Sequence, residues 1–113
     1  MVFLFMSCAS QIPKGPIRPY YESPIINDMM VTFKIWDKSA REIYVIGDFN
    51  NWKPQERYKL IKGSNDMWEG TVRLSPGTYE YLFLVDGTKI NDSSNKDAIK
   101  DYNGNKRSVL IVR

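Results

Sequence analysis

Three observations predict an all-β sandwich of about seven strands. Short segments alternate apolar and polar residues with a period of two, and Gly, Pro, Asn and Asp separate them at short intervals. No segment carries an apolar stripe at helical spacing. The 113 residues allow one domain, and the patterned part, 25–113, suffices for one sandwich core.

The first ten residues, Met1-Val-Phe-Leu-Phe-Met-Ser-Cys-Ala-Ser10, form a short apolar run ending at Cys8. Such a run before a small residue and a cysteine looks like the end of a bacterial lipoprotein signal, although it lacks a basic leader. The expectation is lipidation at Cys8 and a place in the bacterial cell envelope; without the anchor, the chain would be cytoplasmic. Residues 11–24 carry Pro13, Pro16, Pro19 and Pro24, too dense for helix or central strand, and read as an extended linker. Whether Tyr20-Tyr21 folds back on the domain is left open by the pattern.

From Ile25 the period-two pattern begins. Val31, Phe33 and Ile35 alternate with Thr32, Lys34 and Trp36, and Asp37–Arg41 is a polar connection. Glu42–Gly47 reads as a strand covered on both faces. Tyr58–Lys62 reads as a shorter strand, followed by turn chemistry at Gly63–Asp66. Trp68, Gly70, Val72 and Leu74 then alternate with Glu69, Thr71 and Arg73. Ser75-Pro-Gly77 opens a strand that puts Tyr79, Tyr81, Phe83 and Val85 on one face, and Asp86-Gly87 closes it with the dipeptide of a type I′ hairpin. Residues 91–107 read as a long polar loop with one short turn near Asp97–Lys100, and a loop of that length is more often functional than not. Ser108–Arg113 forms the last strand.

Charge and composition exclude several classes. The net charge of +3 comes from 16 basic and 13 acidic residues scattered along the chain, without the clustering of a nucleic-acid footprint. The chain has no histidine, which removes imidazole acid–base chemistry and His ligation. One cysteine precludes an internal disulfide. Asp92, Asp97 and Asp101 do not fit a calcium loop, and Asp48 and Asp86 read as turn residues rather than a catalytic pair. Neither a metal, a cofactor nor an enzymatic activity is expected.

The ordered set Val31-Thr-Phe33, Gly47-Asp-Phe-Asn-Asn-Trp52, Trp68, Leu74-Ser-Pro-Gly-Thr-Tyr-Glu-Tyr81, Val85-Asp-Gly87, Asn91-Asp92 and Ser108-Val-Leu110 resembles carbohydrate-binding modules of family 48. These include the glycogen-binding domain of the AMP-activated protein kinase β subunit. The set is also similar to the N-terminal early-set domains of isoamylases and branching enzymes. The resemblance implies an immunoglobulin-like early-set sandwich that binds α-glucan without hydrolysing it, with Trp52 stacking on glucose. A second tryptophan of the family falls within Thr88-Lys-Ile90 here, a family lysine at Leu82, and a family asparagine near Arg107. That site therefore keeps one clear element and loses about three.

Trp52 is a broad apolar plate suited to the C–H face of a pyranose. Lys89, Tyr102, Asn103, Asn105 and Arg107 are candidates for a second stacking surface and for hydrogen bonds to hydroxyls. Trp36 and Trp68 read as packing residues. The alternative is a structural or protein-interaction module that has lost the sugar, which an exposed apolar patch at Leu82 and Leu84 would favour. A further alternative is a fragment of a hydrolase whose catalytic domain lies beyond Arg113.

Overall fold

The period-two pattern becomes nine strands in the computed structural model, which describes residues 19–113. They are β1 (Ile25–Asn27), β2 (Met30–Trp36), β3 (Ile43–Gly47), β4 (Ile61–Lys62), β5 (Met67–Arg73), β6 (Gly77–Val85), β7 (Thr88–Ile90), β8 (Ala98–Lys100) and β9 (Lys106–Val112). One antiparallel sheet runs β1-β2-β5-β4 and the other β3-β6-β9-β8, with β7 also paired to β6. The all-β sandwich is therefore as the sequence predicts. Cys8, the expected lipidation point, and most of the Pro-rich segment lie outside the described residues.

Alternation sets the two inner faces. On the first sheet Val31, Phe33 and Ile35 pair with Val72, Gly70 and Trp68. On the second, Val45 pairs with Phe83, and Tyr81 and Tyr79 pair with Ser108 and Leu110. A one-residue slip would turn each set to solvent, so burial fixes the register. The Phe33 ring meets Tyr81 edge-on at 5.0 Å, and Phe49 stacks on Tyr58 at 5.0 Å. Trp68 is buried and donates its indole N–H to the Asp37 carbonyl (3.0 Å), whereas Trp36 is half-buried.

Several elements differ from the sequence reading. Only Ile61–Lys62 of the expected strand 58–62 pairs as one, because Glu56–Tyr58 forms a single 3-10 turn that drops Tyr58 into the core. The region 91–107 is not a plain loop: Ala98–Lys100 is a strand that pairs with Lys106–Ser108. Tyr21 does fold back, its hydroxyl accepting the Trp36 N–H (3.2 Å), and Ser23 accepts the Lys34 N–H (3.0 Å). The Asp86-Gly87 hairpin has φ values of 47° and 85°, as a type I′ turn requires. Asp86 does more than turn the chain, since its Oδ1 accepts the N–H groups of Arg41 and Glu42 at 2.9 Å each.

A polar knot ties the start of the 91–107 region to the core. Asp92, only 1% exposed, accepts the Tyr81 hydroxyl proton at 2.7 Å. Ser108 Oγ accepts the Asp92 N–H (2.9 Å) and donates to Asn91 (2.6 Å). Asn95 donates to the Tyr81 hydroxyl (3.1 Å) and to the Val109 carbonyl (2.8 Å). Burial pushes the Asp92 carboxyl above the usual carboxylate range, against the opposing effect of its hydrogen bonds. Burial and the neighbouring carboxylate push the Tyr81 hydroxyl the same way, so it stays a proton donor.

Two outcomes follow from this packing. A Cβ on Gly47 would stand 2.5 Å from the Glu80 carbonyl oxygen, a backbone atom that cannot swing aside. Gly47→Ala should therefore destabilise the fold by ~1–3 kcal/mol, measured as a lower urea midpoint with unchanged slope. Because the folded-state pKa of Asp92 is raised, its contribution is fully present when it is protonated and declines as pH rises through that value. The difference in unfolding free energy between Asp92→Asn and the parent should thus shift in the variant's favour from acid to neutral pH. A pH-independent difference in urea titrations would contradict this.

Candidate functional site

The first part of the site is a corner built by Asn50. Its Oδ1 accepts the Gly47 N–H at 2.8 Å and its Nδ2 donates to the Val45 carbonyl at 2.9 Å, so the buried amide is bonded at both ends. Asp48 accepts the Glu80 N–H at 2.8 Å, which fastens the corner to β6. The chain then passes through Asn51 and Trp52 with φ of 56° and 59°, and the Trp52 N–H returns to the Gly47 carbonyl (3.0 Å). Left-handed backbone is routine for asparagine but costs a tryptophan ~1–2 kcal/mol. The corner therefore holds Trp52 against its local preference.

The indole reaches across the outer face of the second sheet. β3 pairs with one side of β6, whereas β9 and β7 pair with the other. The Arg107 guanidinium of β9 nonetheless sits 5.0 Å from the centre of the half-buried Trp52 ring, so the two side chains meet above β6. Such a contact contributes ~0.5–1 kcal/mol where solvent reaches it. Arg107 also bonds the Glu80 carboxylate at 3.2 Å, which holds the guanidinium from a second direction. Ile46 is 1% exposed on this outer face, paired with Leu82 and outside the main core cluster.

The second part is a cleft of about 410 Å³ where β7 and β9 follow one another along β6. Leu82 lies on one wall; Lys89, Asn91, Asp101, Asn105, Lys106 and Arg107 complete it. Asp101 shapes the far side, its Oδ1 accepting the N–H groups of Asn103 (2.9 Å) and Asn105 (3.0 Å). Those bonds, led by the one from Asn105, hold its carboxyl below the usual range, with the Arg107 charge adding to them.

Of the sequence candidates, Lys89, Asn105 and Arg107 come together in this cleft, and Trp52 joins them through Arg107. Tyr102 and Asn103 do not line it: both are exposed on the turn between β8 and β9, with Tyr102 fully so. Sequence reasoning missed Glu80, Asn91, Asp101 and Lys106. For Asp101 there was a signal, since an Asp two residues before Asn-Gly is Asx-turn chemistry. Glu80 had none, because its role depends on a strand pairing that brings Arg107 beside it. Leu82 and Leu84 are each half-buried rather than an exposed apolar patch.

Comparisons with known proteins establish the family and the fold. The family described as the glycogen recognition site of AMP-activated protein kinase matches residues 30–113. The chloroplastic protein FLOURY ENDOSPERM 6 of Oryza sativa subsp. japonica is 28% identical over 87 residues, covering 77% of this chain and 16% of that protein. The human 5'-AMP-activated protein kinase subunit beta-2 is 36% identical over 59 residues, 52% of this chain and 21% of the subunit. A 1,4-alpha-glucan branching enzyme of Clostridium perfringens (strain SM101 / Type A) is 35% identical over 57 residues, 50% of this chain and 9% of the enzyme. Among solved structures, the maltogenic amylase from S. marinus superposes with a TM-score of 0.61 at 24% identity, over 80% of this chain and 15% of the amylase, which shows a shared fold. The chain thus spans about a fifth or less of the length of these relatives.

Since the Asp101 carboxylate organises the far wall, Asp101→Ala should speed amide hydrogen exchange at Asn103 and Asn105 while leaving β6 protected. In the parent, the same acceleration should appear only below the usual carboxylate range, as falling pH passes the lowered pKa.

Proposed function

The chain belongs to the glycogen-recognition family of carbohydrate-binding modules, a non-catalytic domain, and from that membership we propose that it binds α-glucan chains on the outer face of its second sheet. Trp52 is the stacking platform, with Lys89, Asn105 and Arg107 supplying hydrogen bonds to sugar hydroxyls. The observation that carries this reading is Trp52 itself, a large aromatic held in left-handed backbone at the rim of a polar cleft. Strain of that kind concentrates where a side chain has a task, because packing alone selects against it. Arg107 lies 5.0 Å from the centre of the indole, so a glucose unit stacked on Trp52 would lie beside that guanidinium.

The arrangement favours weak, reversible binding. One aromatic platform contributes ~0.5–1.5 kcal/mol beyond its buried area, and the polar partners sit where water competes for them. The open sheet face suits internal segments of a polymer, since neither end of the sugar chain has to enter a closed pocket. Leu82 and Leu84 are half-buried, so they do not form the exposed patch that the interaction-module reading called for.

Titration of the tryptophan fluorescence with maltoheptaose and with β-cyclodextrin tests the proposal. A saturable change is expected in the millimolar range, weakened about tenfold or more in Trp52→Ala, with cooperative thermal unfolding retained. A folded parent that gives no response to either sugar would refute it.

A further inference from the structure

The cleft beside Trp52 offers far more hydrogen-bond donors than acceptors. Lys89, Lys106 and Arg107 bring three cations to its wall, against the single carboxylate of Asp101. That carboxylate is already engaged, one oxygen accepting two backbone N–H groups. Arg107 is balanced by Glu80 from the rim, but Lys89 and Lys106 form no ion pair among the described residues. Asn91 adds to the excess. Its oxygen accepts the Ser108 hydroxyl at 2.6 Å, which leaves the NH2 as the free end of the amide.

A neutral sugar hydroxyl both donates and accepts, and a wall of donors uses only half of that capacity. An acceptor-rich anion uses all of it. The mixture of two ammonium groups, a guanidinium and an amide NH2 around about 410 Å³ suits a phosphate monoester, whose oxygens accept from all three donor types. The guanidinium that lines this cleft also lies on the Trp52 ring, so a ligand stacked on the indole presents its neighbouring substituents to the cations.

We propose that this module prefers α-glucan carrying phosphate monoesters over the unmodified polymer, with Lys89, Lys106, Arg107 and Asn91 forming the phosphate subsite. The inference rests on the glucan reading and sharpens it: Trp52 holds the sugar and the cationic cleft selects the substituent. The interaction is electrostatic, so it weakens with salt in a way that stacking does not.

Calorimetric titration of the full chain with maltoheptaose, with maltoheptaose bearing a 6-phosphate, and with inorganic phosphate separates the possibilities. The phosphorylated sugar is expected to bind about tenfold more tightly at low salt, with the advantage reduced severalfold at about 0.5 M salt. Lys89→Ala and Lys106→Ala should each lower the ratio of phosphorylated to neutral affinity, and Lys89→Arg should restore it. Equal affinity for the two sugars would overturn the phosphate subsite and leave the glucan reading standing. Failure of both sugars to bind would overturn both. Inorganic phosphate binding as tightly as the phosphorylated sugar would also overturn the proposal, since the cleft would then act apart from Trp52.

Discussion

The Asn50 side chain is the constraint on which the site depends. Its two hydrogen bonds, to the Gly47 N–H and the Val45 carbonyl, stop β3 and fold the chain into a corner within three residues. Without them two buried backbone groups would lose their partners, which costs more than either bond contributes when formed. Everything displayed at the corner inherits this rigidity. The Trp52 N–H closes on the Gly47 carbonyl, the Asp48 carboxylate fastens the turn to β6, and the indole is delivered above β6 to meet Arg107. A buried amide bonded at both ends thus converts the end of one strand into a fixed mount for an aromatic ring.

The Tyr81–Asp92 bond does for the opposite side of the site what Asn50 does for the corner. A buried carboxylate is costly, and the bonds it accepts from the Tyr81 hydroxyl and the Ser94 N–H offset part of that cost, while Ser108 and Asn95 brace its backbone and the phenol. In exchange the chain after β7 is pinned under β9, so the cleft between them has a defined floor. Sheet pairing, corner and knot are all fixed before any ligand arrives, which keeps the ordering cost of binding low.

Much of this was legible in the sequence because it rests on short-range chemistry. The alternation of Val31, Phe33 and Ile35, the inward face of Tyr79, Tyr81, Phe83 and Val85, and the Asp86-Gly87 turn each need only neighbouring residues to be read. The β8 strand was hidden because Ala98-Ile-Lys100 has a single large apolar residue, and only its pairing with Lys106–Ser108 makes it a strand. Tyr58 was assigned to a strand because its apolar neighbours suited one, yet the Phe49 ring draws it into the core from a turn. Within the site, Trp52 could be singled out from its type and its corner. Glu80, Asn91 and Lys106 could not, since each acquires a role only when β7 and β9 come together along β6.

The close approach of Gly47 to the Glu80 carbonyl divides the module into a part that must stay and a part that is free to drift. Any side chain at residue 47 would push β3 off β6, so the mount cannot be altered one substitution at a time. Leu82, Lys89 and Arg107, by contrast, stand on the outer face with their side chains outside the core cluster, and exchanging them spares the packing between the two sheets. Such a scaffold can change what it recognises in small steps without passing through unfolded intermediates in sequence space. Its chemistry is in that sense modular: one inherited frame, and a replaceable set of contacts bolted to it.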